Sequence, residues 1–184
     1  MDETSGSPFA DSVGTSDGSC TAPDCPTPEA GRVNGAQTFD GTNRRINVPA
    51  STDFNWTASD SFSIALWVNI HNTATCSGNK VFIGRYGGGT AGNQPAWWVG
   101  CDESTNRATV SLRDNNNINQ QVTAGDIPLN DGGWHHIVAV REGGSVNQTR
   151  IYVDGSFKNY ANVIFTGGFA SSNGLSIGYY NLDF

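Results

Sequence analysis

An all-β chain folded as a sandwich of antiparallel sheets is predicted by three observations. Short runs rich in β-branched and aromatic residues recur along the chain, turn clusters separate them, and no apolar repeat of helical period is long enough to build a bundle. Composition agrees, with 23 glycines and 10% aromatic residues. A length of 184 residues suits one domain with a sizeable core.

Residues 1–34 read as an irregular, polar, disulfide-containing segment, with Ser-Gly and Asp-Gly pairs and three prolines between Pro23 and Pro28. Strands are then expected at 36–40, 45–48, 61–70, 80–86, 96–101, 108–113, 119–123, 134–141, 149–154, 156–160 and 175–180. In 61–70, Phe62, Ile64, Leu66, Val68 and Ile70 share one face and Ser63, Ala65, Trp67 and Asn69 the other, so one face is core. Trp97 and Trp98 are adjacent, which turns one toward the core and the other away from it. Ile151-Tyr152-Val153-Asp154-Gly155 is a strand running into a hairpin, since Asp-Gly supplies the positive φ angles of a type I′ turn. Asp154 is therefore read as a turn residue rather than a ligand.

Charge narrows the partners. Seventeen acidic and ten basic residues give a net charge of −7, which repels phosphate backbones and anionic lipid. Nucleic acid is excluded on that ground. No window is apolar enough to span a membrane, and the polar start after Met1 lacks a signal peptide's apolar stretch and reads as the start of a mature domain. Four cysteines permit three connectivities, and sequence proximity favours Cys20 with Cys25 and Cys76 with Cys101. His71, His135 and His136 stand at no metal-ligand spacing from them, so disulfides are preferred to zinc. Disulfides place the protein in an oxidising compartment, secreted or at a cell surface.

Three segments carry a family resemblance. Ser61 to Val68, followed by Asp131-Gly132-Gly133-Trp134-His135-His136-Ile137-Val138-Ala139-Val140 and then Ile151 to Gly155, resembles the laminin G-like domains of the concanavalin A-like lectin and glucanase superfamily. Phe39-Asp40-Gly41 and Leu175-Ser176-Ile177-Gly178 fit the same pattern. The resemblance implies an antiparallel jelly-roll β-sandwich of two sheets, in a single domain across 1–184. It also implies a closing strand after Asn181-Leu182-Asp183-Phe184 that this sequence does not contain. Two expectations follow: either the sequence is truncated before that strand, or an open slot beside 175–180 is filled by a strand-donating subunit.

Catalysis is not expected. Retaining glycoside hydrolysis needs two carboxyls about 5–5.5 Å apart, and no strand here alternates acids on one face. Asp102-Glu103 reads as a solvated loop, and His135 with His136 as packing residues of the family's strand. One structural calcium ion is the cofactor that the resemblance implies, with Asp11, Asp40 and Asn43 as candidate ligands and a simple Asp-Gly turn at Asp40 as the alternative. For a sugar, the candidates are Tyr86, Trp97, Trp98, Arg113, Asn115 and Asn116, near a Gly87-Gly88-Gly89 loop, because flat rings beside amides stack and hydrogen-bond. The bland alternative is a buried tryptophan beside a solvated asparagine turn. Two functions stay open: a non-catalytic module recognising a glycan or extracellular protein, and an architectural adhesin or filament module. Asn55-Trp56-Thr57 and Asn147-Gln148-Thr149 also fit the N-glycosylation pattern.

Overall fold

The computed structural model describes Glu3 and residues 6–72, 74–78, 80–87 and 94–178. Its strands are β1 (Thr27–Ala30), β2 (Gly35–Thr38), β3 (Ile46–Val48), β4 (Phe62–Asn69), β5 (Lys80–Tyr86), β6 (Ala96–Cys101), β7 (Arg107–Arg113), β8 (Asn119–Pro128), β9 (Trp134–Glu142), β10 (Gln148–Val153), β11 (Ser156–Asn162) and β12 (Leu175–Ile177). A single helical turn, Thr52–Phe54, interrupts them. Two antiparallel sheets face each other as the jelly-roll sandwich, one ordered β11-β10-β9-β4 and the other β3-β12-β5-β6-β7-β8. The β1-β2 hairpin stands apart.

Alternation along each strand builds the core between the sheets. In β9, His135, Ile137, Ala139 and Arg141 point inward and are buried, while their neighbours are only half-buried. Ile151 and Val153 of β10 meet Val99, Val110, Leu112 and Val122 of the larger sheet, and Phe165 and Phe169 plug the end of this cluster. The β10-β11 turn is as expected: Asp154 and Gly155 have φ of 53° and 75°.

Two buried arginines hold loops against this core. Arg85 is 2% exposed and meets no carboxylate among the described residues; it donates to the carbonyls of Asn173, Phe54 and Ser171 and to Asn55 Oδ1. Arg141, 1% exposed, reaches the Ala58 carbonyl and Asn147 Oδ1 while its guanidinium lies 5.1 Å from the Phe165 ring. Asn55 and Asn147, the two acceptor asparagines of the glycosylation pattern, are thus committed to arginine hydrogen bonds.

Four differences from the expectation have physical causes. β1 forms inside the segment read as irregular, because Thr-Pro-Glu-Ala is exposed at every position and offers no alternation to detect. It pairs with β2 across a turn in which Asn34 takes a φ of 55°. β8 continues to Pro128, with a register shift against β7. The slot expected beside 175–180 is closed: β12 lies between β3 and β5 and pairs with both. It ends at Gly178, where φ is 80° and the Phe39 ring packs so close that no side chain would fit; Tyr179 and Tyr180 lie outside the described residues. β4 is an edge strand, as are β11, β3 and β8, and among the described residues it pairs with β9 alone.

Both expected disulfides form, with Cα–Cα distances of 5.1 Å for Cys20–Cys25 and 5.6 Å for Cys76–Cys101. Cys101 is not opposite Cys76 in the ladder, however. The β5-β6 register pairs it with Lys80, and Cys76 folds back from the preceding loop, its amide held by Asn106 Oδ1.

Candidate functional site

The outward side chains of the six-stranded sheet can be followed from register alone. Asn47 pairs with Ser176, Ser176 with Gly84, Gly84 with Trp98, Trp98 with Ser111 and Ser111 with Gln121. Cross-strand partners share a face, so one line across all six strands sets a half-buried indole among hydroxyl and amide groups. The next outward rung joins Tyr86, Ala96, Arg113 and Asn119. Arg113 lies 5.6 Å from the centroid of the Tyr86 ring, and its Nε donates to the Gln94 carbonyl at 2.7 Å.

Beyond this rung the β7-β8 turn is organised by Asp114, which is fully buried. Its Oδ1 accepts from the Asn116 and Ile118 amides and its Oδ2 from those of Thr166 and Gly167. Asn115 and Asn116 are therefore exposed but fixed, with Asn116 Nδ2 donating to Thr166 Oγ1 at 3.0 Å. Tyr86, Trp98, Arg113, Asn115 and Asn116 thus come together on one face and its end. Trp97 does not belong with them. It is 2% exposed, on the inner rung between Arg85 and Leu112, with its ring centroid 5.1 Å from that of Trp56. Gly87 packs on Pro95, and Gly88 and Gly89 lie outside the described residues. Asn47, Ser111, Gln121 and Ser176 escaped the sequence reading because each lies on a different strand, and only the register unites them.

Asp40 and Asp11, the carboxylates expected to ligate calcium, each organise a turn of their own. Asp40 Oδ1 accepts the amides of Thr42, Asn43 and Arg44, and these bonds, from Thr42 foremost, hold its carboxyl well below the usual range. Asp11 is wrapped in the same way by the amides of Val13, Gly14 and Ser16. Asn43 contributes its backbone amide to the Asp40 turn. Among the described residues no group of three or more His, Cys, Asp or Glu side chains is placed to hold a metal.

Asp102 likewise organises its own loop, its Oδ1 accepting from the hydroxyls and amides of Ser104 and Thr105. A second cluster was not foreseen. His135 Nδ1 lies 2.8 Å from Asp154 Oδ2 and its Nε2 3.1 Å from Asp131 Oδ1, joining the 131–133 turn to the β10-β11 hairpin. Burial disfavours the imidazolium, but its hydrogen bonds to Asp154 and Asp131 outweigh that and raise the His135 pKa above its usual value.

No curated protein matches the sequence. Among solved structures, the binding domain of Paraclostridial Mosquitocidal Protein 1 superposes with a TM-score of 0.65 at 11% identity, over 83% of this chain and 37% of its own length. The botulinum neurotoxin serotype G binding domain gives 0.60 at 20% identity, over 91% and 41%. This chain thus spans less than half of either structure, and at these identities the likeness is one of fold. Within the described residues no helix is long and apolar enough to cross a membrane. The laminin G family model matches residues 40–183, more than half of the chain, and so this protein belongs to the concanavalin A-like lectin/glucanases superfamily.

Proposed function

We propose that this chain is a non-catalytic, extracellular module that recognises a glycan on the outer face of its six-stranded sheet. The observation that carries this reading is the line Asn47, Ser176, Gly84, Trp98, Ser111 and Gln121. An indole supplies the flat apolar surface that a sugar ring stacks on, and the flanking hydroxyls and amides supply hydrogen bonds. Two disulfides and a superfamily of lectins support the setting and the role, as does the description of both structural neighbours as binding domains.

A glycan array tests the proposal. Wild type should bind a defined sugar set, and Trp98→Ala should weaken that binding about tenfold or more with the fold intact, since stacking is lost. An empty array would remove the glycan reading.

The β4 edge favours a second reading, an architectural module that accepts an extended strand from another chain. Its inward residues Ile64, Leu66 and Val68 are only half-buried, whereas Ile137 and Ile151 on the neighbouring strands are 0% exposed. Backbone groups and core surface there would both be completed by an added strand.

A further inference from the structure

We infer that the sugar recognised on this face carries a carboxylate, which Arg113 reads at the margin of the Trp98 platform. The inference rests on the glycan reading above and adds the ligand's charge. Its basis is how Arg113 is presented. Ala96 separates Tyr86 from Arg113 in their rung and contributes only a methyl group, so the guanidinium and the phenol ring meet above it. The Nε bond to the Gln94 carbonyl fixes the plane of the fork, leaving the two terminal nitrogens as the donors for a ligand. Among the described residues, no carboxylate lies within ion-pair distance of them. Trp98 stands one rung away, on the diagonal from Arg113, within the reach of one ligand across both.

The charge distribution points the same way. The chain carries 17 acidic residues, yet the strands of the six-stranded sheet hold one, Asp126. Asp126 lies toward the far end of β8 and is paired with Lys158 of β11 at 3.0 Å. A protein that repels anions on average therefore offers them an acid-free face with a cation held in place. A planar guanidinium whose orientation is already fixed matches a carboxylate through two parallel hydrogen bonds and loses little freedom on binding. Uronic and sialic acids present such a group on a ring that can stack.

The test uses an array of matched sugars: carboxylate-bearing glycans, their carboxyl-reduced alcohols, sulfated glycans and neutral ones. Calorimetry on wild type, Arg113→Gln and Arg113→Lys at two salt concentrations accompanies it. Carboxylate sugars should bind wild type, and reduction of the carboxyl should weaken binding about tenfold, as expected for loss of a charge-assisted bidentate pair. Arg113→Gln should bind acid and alcohol alike, Arg113→Lys should recover only part of the preference, and added salt should weaken wild type. Because the reduced sugar is compared with the acid on the unmodified protein, a loosened Gln94 loop in the variant cannot mask the result. Equal, Trp98-dependent binding of acid and alcohol overturns the inference and leaves the glycan reading standing. Preference for sulfated sugars alone overturns the carboxylate assignment, and binding of nothing overturns both.

Discussion

Because both ring nitrogens of His135 face carboxylate oxygens, only the imidazolium can donate to Asp131 and Asp154 at once. The neutral ring has one N–H and would turn a lone pair toward an anion. The folded pKa thus lies above the unfolded value of 6.5. The stabilisation it brings is complete below that value and is lost as pH rises through the folded pKa. Thermal melts of wild type should accordingly fall from mildly acidic toward alkaline pH, and His135→Gln should flatten that decline; parallel profiles would show that His135 does not cause it. His136 lies on the outer face, where it shares a rung with Trp67, their ring centroids 4.9 Å apart. Arg85 makes a different demand. Replacing it with methionine would strip donors from three carbonyls and the Asn55 amide oxygen, all on loops capping the core. We expect a loss of about 3 kcal/mol, or a Tm lower by roughly 6–12 °C at this chain length. A shift within a degree or two would mean that those loops hold without it.

At the scale of the elements, β4 combines an unprotected edge with an incomplete core. Its eight residues carry no charge, proline or register shift, the devices that normally keep an edge from pairing. Sedimentation across a concentration series should show association of wild type, and Ala65→Lys, which puts a charge on the edge strand without entering the core, should relieve it. A monomer at every concentration in both proteins removes the strand-docking reading. The alternation that makes β4 legible in sequence says which residues face inward but not which neighbours a strand will have. That is why an edge was expected beside Leu175, while β12 lies inside its sheet and β4 at the margin of the other. Strands such as β9 and β10 were legible because burial on one face imposes a period of two. β1 was not, since nothing about it is buried.

For the molecule as a whole, adjacent residues informed and distant ones did not. The pair Trp97-Trp98 was enough to say that one ring faces outward, but Asn47 and Ser176 reach its line through β3 and β12, at opposite ends of the chain, and no local pattern encodes that meeting. Most of the described acidic residues lie outside the strands, and Asp11, Asp40, Asp102 and Asp114 among them accept backbone amides. The Cys76–Cys101 bond has a mechanical consequence as well. When the chain is stretched from its ends, a crosslink spanning 25 residues withholds that length from any extension for as long as it is intact. At about 3.4 Å per residue the concealed slack is roughly 80 Å. Stretching single molecules should therefore give a contour length on unfolding that grows by about this amount under reducing conditions, while the five-residue Cys20–Cys25 loop adds little. In an oxidising medium the β5-β6 hairpin, which carries Tyr86 and Trp98, would stay looped even after the sheets around it had been torn open.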